Sequence, residues 1–267
     1  MTAITIGVLA VQGAFLEHLT LLRKAAGELQ STDHKFDFVE VRTSRELCLC
    51  DALIIPGGES TTISLVAART DLLDSLREFV KVERRPVWGS CAGLILLAEA
   101  ANSSKKGGQE LIGGLDVRVN RNHFGRQKES FQADLKLPFL DQAQVPSEAF
   151  PGVFIRAPVV ERILANVDGV QFDEQLLPDS VVAPSKHAKD EKAKSATSGE
   201  VEIMGVLPGR MKRAAEKGAE IQADEEAGDI IAVKQGNVFG TSFHPELTAD
   251  FRIHVWWLQQ VVAAVNR

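Results

Sequence analysis

The chain has 267 residues, 45% hydrophobic and 25% charged, which excludes a disordered chain, a collagen-like repeat and a disulfide scaffold. Its net charge of -6, from 30 Lys and Arg against 36 Asp and Glu, leaves no basic excess for a nucleic-acid partner. Three cysteines cannot all pair and suit a reducing compartment, and no apolar run reaches the ~18 residues of a membrane span. The first residues lack a basic leader and pass straight into a strand-like run, so a cytoplasmic location is expected.

Residues 4–11 (ITIGVLAV) are apolar and β-branched and read as a buried strand. Leu16, Leu19, Leu22 and Ala26 then recur at helical spacing over 13–27. Residues 36–42 alternate like a half-buried strand. Residues 52–55 form a short apolar run halted by Pro56-Gly57-Gly58, after which Ser60 or Thr61 can cap a helix to about Val66. Leu72, Leu73, Leu76, Phe79 and Val80 outline another helix. Pro86-Val87-Trp88-Gly89 leads into Cys91 and an apolar helix over 92–101. Strands alternating with helices predict an α/β fold with a mainly parallel sheet covered on both faces.

Beyond residue 110 the long helices stop. Segments 114–120, 129–135, 152–157, 230–235 and 237–243 read as strands, with Gly236-Asn237 as a tight-turn signal. They are expected to extend the parallel sheet with antiparallel strands, giving a mixed sheet. Thr248 can cap a final helix over 249–265 with Phe251, Val255, Leu258 and Val262 on one face. Residues 185–229 are rich in Lys, Glu, Asp and small polar residues, and read as a charged, flexible surface insertion, with a partner-docking element as the alternative and 201–207 able to add a strand. A single domain over 1–267 carrying this insertion is the expected organisation.

The chemistry concentrates at Gly89-Ser90-Cys91-Ala92-Gly93, between a strand and a helix. Glycines two before and two after a nucleophile are the pattern of a nucleophile elbow: they allow a sharp turn that lifts the nucleophile above the sheet. There the helix dipole and its free N–H groups favour a thiolate. A thiolate nucleophile requires a base. His34 and His187 fall in polar loops or the insertion, and His18 and His254 fall in helices as partly packed surface residues. His123 follows a turn-like Arg121-Asn122. His244 is favoured because Glu246, two residues on, points the same way in an extended chain and can hold one imidazole nitrogen while the other faces Cys91. Gly57 and Gly58 lack side chains, so their backbone, with the N–H of Ala92, can approach a reacting carbonyl. Cys48 and Cys50 read as packing residues before a strand, since no further ligands stand near them for a metal. No phosphate-binding or dinucleotide fingerprint is present, and no cofactor is expected.

GSCAG with a distant HPE, and PGGES before a helix, resemble the class I, triad-type glutamine amidotransferases. LAVQGAFLEH near the start, LIIPGGESTTI at 53–63, GSCAGLILLA at 89–98, RNHFGRQKESF at 121–131, FIRAP at 154–158 and SFHPEL at 242–247 are similar to the glutaminase subunits of pyridoxal 5′-phosphate synthases. The resemblance implies a three-layer, flavodoxin-like domain that hydrolyses L-glutamine to L-glutamate. The ammonia would pass to a synthase subunit, in a complex with a ring-shaped synthase core. It also implies that Cys91 is the nucleophile, His244 the base and Glu246 its orienting carboxylate, with the Gly57-Gly58 peptide at the oxyanion position. Gly58, Glu59, Ser60, Arg121, Ile155 and Arg156 match glutamine-contacting positions, and Gln12 matches a region near the partner interface. Ser90 stands where the family commonly has threonine, and the insertion lengthens a connection that is short in compact relatives. The rival readings are a free-standing cysteine hydrolase on the same elbow, a non-catalytic partner of a synthase, and a glutaminase that feeds another synthase.

Overall fold

The computed structural model describes residues 2–29, 34–102, 109–121, 130–141, 148–167, 169–185, 187–196, 199–208 and 228–266. The first half alternates as the sequence pattern predicts: β1 (Thr2–Leu9), α1 (Phe15–Glu28), β2 (His34–Val41), a short α2 (Ser44–Cys48), β3 (Ala52–Ile55), α3 (Ser60–Ala68), α4 (Leu72–Arg77) and β4 (Val87–Ser90). A π-helical turn, Glu78–Val82, continues α4. The strands are buried on both faces, and their side chains divide with a period of two. Ile4, Ile6, Val8, Ala52, Ile54 and Trp88 join one apolar cluster, and Leu9, Leu53, Ile55 and Val87 the other. The first cluster is closed by α1 and the last helix, the second by α3, α4 and α5. The result is three layers with the sheet between helices.

The expected helix over 92–101 stops early. α5 spans only Ala92–Leu97, and Ala98–Asn102 forms β5, parallel to β6 (Leu115–Asn120). Ala and Glu favour helix locally, but residues 98–101 are buried against β6 on one side and β10 (Ser180–Val182) on the other, so tertiary packing overrides propensity. β7 (Phe131–Leu135) and β8 (Phe150–Phe154) pair with each other in a separate antiparallel ribbon instead of extending the main sheet. Phe131 and Phe154 stack across it at 4.6 Å.

β9 (Val159–Ile163), α6 (Phe172–Gln175), α7 (Glu191–Ser195), β11 (Glu202–Leu207), β12 (Asp229–Gln235), β13 (Val238–Thr241) and α8 (Arg252–Val265) complete the described elements. Among the described residues the main sheet runs β10-β5-β6-β9-β12-β13-β4-β3-β1-β2, with β11 also on β12. The segment β13-β4-β3-β1-β2 is parallel throughout, and β12 and β9 run antiparallel to their neighbours. The turn at Gly236-Asn237 closes the β12–β13 hairpin, with Gly236 at a φ of 55°. Residues 201–207 do add a strand, while 209–227 of the charged insertion lie outside the described residues.

Two capping expectations are corrected. Glu59, not Ser60 or Thr61, caps α3 and accepts from the N–H groups of Thr61 and Thr62. Thr248 does not cap α8; its hydroxyl accepts from the N–H of Asp250, whose carboxylate in turn accepts from the N–H of Arg252 at 3.0 Å. Cys50 is buried as expected, but Cys48 is exposed on the short helix α2. No described helix is long and apolar enough to cross a membrane.

One buried ion pair ties the π-helical turn to the sheet. Lys81 Nζ lies 2.7 Å from Glu99 Oε1 on β5 and donates to the carbonyl of Pro184 at 2.8 Å. The N–H of Gly114 donates to the same carboxylate at 2.8 Å. Lys81→Met is expected to destabilise the fold by about 3–5 kcal/mol, because Glu99 is left buried and unpaired. Replacing Glu99 by Leu in the same chain should recover most of that loss; urea unfolding of the single and double variants checks both.

Candidate active site

The parallel strands β1, β3, β4 and β13 end together, and the loops that leave their carboxyl ends form the site, as is usual for open α/β sheets. Cys91 follows β4 directly and opens α5 with φ 46° and ψ -97°, a conformation that non-glycine residues rarely adopt. Such strain persists only where the surroundings enforce it. Here the two flanking glycines permit it: a Cβ on Gly89 would sit 2.4 Å from the Gly93 carbonyl carbon, and one on Gly93 would sit 2.1 Å from the Ile55 oxygen. The turn is therefore as tight as the G-x-C-x-G pattern requires.

His244 follows β13 and is anchored by its N–H to the carbonyl of Val153 on β8, at 2.8 Å. Its Nδ1 lies 2.8 Å from Glu246 Oε1 in the 3-10 turn Pro245–Leu247. Cys91 lies close enough to act electrostatically on the ring. Burial disfavours the imidazolium, but the negative charges of Cys91 and Glu246 outweigh it and lift the His244 pKa to about 10. The ring stays charged through neutral pH. Its contribution to stability is fully present below the ordinary value of 6.5 and is lost as pH rises through about 10. Burial alone would raise the Glu246 carboxyl; His18 and His244 instead hold it far below the usual carboxylate range.

The segment Gly57-Gly58 packs directly on this group. A Cβ on Gly57 would meet His244 Cε1 at 2.3 Å and Nδ1 at 2.4 Å. The Gly57 carbonyl accepts from the N–H of Ala14 at 3.0 Å, which turns the Gly58 N–H to the opposite side of the trans peptide. Gln12 joins the same loop: its Oε1 accepts from the N–H of Glu59 at 2.9 Å. Ala92, the first residue of α5, presents an N–H of the kind that helix starts leave without an intrahelical partner.

The remaining sequence-derived residues gather around the same loops. Arg121, at the end of β6, donates from Nη2 to Thr61 Oγ1 at 2.9 Å and to Ser60 Oγ at 3.2 Å. Burial lowers its pKa, with nearby Glu59 opposing. The carbonyl of Ile155 faces Cys91 Sγ at 4.0 Å, and Arg156 beside it holds a φ of 46°. The Glu59 carboxylate is engaged with its own helix.

Three side chains were not singled out by the sequence pattern. Gln109 Oε1 accepts from Ser60 Oγ at 3.2 Å, fixing that hydroxyl from behind. His18 and His254, expected as partly packed surface residues, are both 0% exposed. His18 Nε2 lies 3.3 Å from Glu246 Oε2. No local signal marks these three; only the packing of α1 against α8 brings the histidines behind the site. His34 opens β2 and His187 is exposed, while His123 lies outside the described residues.

Residues 8–189 and 206–263 match the model of the SNO glutamine amidotransferase family. The chain is 41% identical over 255 residues to the probable pyridoxal 5'-phosphate synthase subunit PDX2 of Arabidopsis thaliana, covering 96% of this chain and 85% of that one. It is 37% identical over 261 residues to the pyridoxal 5'-phosphate synthase subunit SNO1 of Saccharomyces cerevisiae, covering 97% and 93%. A crystal structure of a glutamine amidotransferase superposes with a TM-score of 0.62 at 32% identity, covering 96% and 98%.

Proposed function

The chain belongs to the SNO glutamine amidotransferase family, and from that premise we propose how its residues carry the reaction. It hydrolyses L-glutamine to L-glutamate and ammonia and is the glutaminase subunit of a pyridoxal 5′-phosphate synthase, supplying ammonia to the synthase subunit. The observation that carries the mechanism is the His244–Glu246 pair, held at 2.8 Å, beside the strained elbow that presents Cys91.

Cys91 attacks the side-chain amide carbon of glutamine as a thiolate. The developing oxyanion is met by the N–H groups of Gly58 and Ala92, with Gly57 giving room for the approach. Such donors act most strongly where they are already aligned and dry; losing one costs about 10²–10³ in rate. His244, charged at neutral pH, gives its proton to the departing nitrogen, and ammonia leaves from a γ-glutamyl thioester. His244 then takes a proton from water, the resulting hydroxide attacks the thioester, and glutamate leaves with the sulfur restored. Glu246 holds the tautomer that this exchange requires.

The amino-acid end of glutamine lies along Gly58, Glu59 and Ser60, with Arg121 on its α-carboxylate and the Ile155-Arg156 backbone beside the reacting end. Guanidinium geometry matches a carboxylate in a way that an ammonium does not. Arg121→Lys is therefore expected to raise the KM for glutamine about 10-fold or more with little change in kcat, read from steady-state glutamate release. Gln12 faces the partner side and, through its hold on the Glu59 N–H, links that side to the oxyanion loop. One glutaminase domain per chain, decorating a ring of synthase subunits in the cytoplasm, is the assembly we propose.

The direct test is glutamate release by the purified chain with and without a synthase subunit. Release that rises when the synthase is added supports both reaction and pathway. Release that ignores a bound synthase overturns the partner, and no release in either condition overturns the glutaminase itself.

A further inference from the structure

Behind the Cys91-His244-Glu246 series two more imidazoles continue the row. His18, on α1, and His254, on α8, are fully buried around Trp88, with ring centroids 5.2 and 4.9 Å from it. Packing alone does not require them, because an apolar residue of similar size would fill the space without the cost of burying polar nitrogens. Their nitrogens are placed in sequence. His18 Nδ1 lies 3.0 Å from His254 Nε2, and His18 Nε2 lies 3.3 Å from Glu246 Oε2 and 3.1 Å from Ser90 Oγ. Apart from the His18 contact, Oε2 of Glu246 is a buried carboxylate oxygen without a hydrogen-bond partner.

Proton positions follow from what each arrangement leaves unpaired. His254 Nδ1 is buried with no partner. If that nitrogen carried a proton, a buried N–H donor would be wasted, a rarer and costlier fault than a bare lone pair. The proton of His254 is thus on Nε2, directed at His18 Nδ1. His18 Nδ1 is then an acceptor, and the His18 proton is on Nε2, where it donates to the Ser90 hydroxyl oxygen at 3.1 Å with Glu246 Oε2 beside it at 3.3 Å. Burial holds His254 neutral, as a single proton on Nε2 requires. The reverse tautomers would leave the Glu246 oxygen facing a lone pair.

We propose that His18, with its tautomer fixed by His254, is a positioning residue that clamps the outer oxygen of Glu246 and so aims the His244 imidazole at Cys91. The inference rests on the glutaminase reading of Cys91, His244 and Glu246. His18 touches neither substrate nor sulfur; it acts through the carboxylate. The donors of the row then point one way, from α8 through α1 to the carboxylate.

The test uses the complex with the synthase subunit. His18→Leu is expected to lower kcat for glutamine hydrolysis by about 10- to 100-fold with KM nearly unchanged, the size expected for losing a donor to a buried carboxylate. His18→Gln, whose amide nitrogen can occupy the Nε2 position, is expected to restore most of that loss. A His18→Leu variant with wild-type kcat overturns the proposal, and so does a loss that His18→Gln fails to restore, which would mark the residue as packing only. A second measurement does not depend on a variant folding: ¹⁵N resonances of the histidine rings in the wild-type chain. Protonated Nε2 with bare Nδ1 on His18 supports the clamp; the opposite tautomer overturns it. Wild-type complex that releases no glutamate would sink the glutaminase reading instead, and the ring tautomer would still decide the geometry of the clamp.

Discussion

Replacing Cys91 by alanine is expected to abolish glutamate release, lowering kcat by at least about 10⁴-fold, because residues that act as one catalytic unit lose nearly everything when the nucleophile goes. Enzyme-coupled detection of glutamate in the presence of the synthase subunit measures it. Retention of full activity would show that the sulfur takes no part. Stability should change little, since alanine meets the same backbone restriction at a φ of 46°. Serine is not expected to rescue the reaction. The elevated pKa of His244 depends on negative charge at Cys91, so the imidazole is tuned to accompany a thiolate and not to draw a proton from a hydroxyl.

Gly57→Ala is the second large effect expected, and its origin is steric. The added Cβ would lie 2.3 Å from His244 Cε1, 2.4 Å from Nδ1 and 2.9 Å from Glu246 Oε1. No real contact is that short, so either the imidazole swings off the sulfur or the loop carrying the Gly58 N–H retreats. A displacement of about 1 Å costs roughly 10²-fold and a lost oxyanion donor 10²–10³-fold, so kcat should fall by about 10³-fold. Binding of glutamine to the variant, followed by calorimetry, should persist through Arg121. A variant with normal kcat would mean that the loop yields without disturbing either group.

Much of this site was readable from the chain because its constraints are local. A thiol two residues from glycines on each side, and a carboxylate two residues beyond a histidine, are patterns whose physical meaning survives without coordinates. The separation of β7 and β8 from the main sheet, and of β5 from α5, was not readable in the same way. Ala98–Asn102 has the composition of a helix and becomes a strand only because β6 and β10 flank it. The α3 cap was misplaced by one residue because Glu59, Ser60 and Thr61 are all able to accept from a helix start, and only the turn of Gly57-Gly58 selects the first. His18 and His254 looked ordinary for a related reason. Each sits on a helix whose apolar neighbours account for burial, and the polar partner that justifies them is far away in the chain.

That separation has a consequence for synthesis. The nucleophile is complete once the first parallel strands have formed, yet the imidazole at 244 and the two histidines behind it span nearly the whole length of the message. A nascent chain holding only its first half can fold β1, β3 and β4 and still carry an unaccompanied sulfur. Under the proposed mechanism such a partial chain has the nucleophile but neither the base at 244 nor the carboxylate at 246 that holds it.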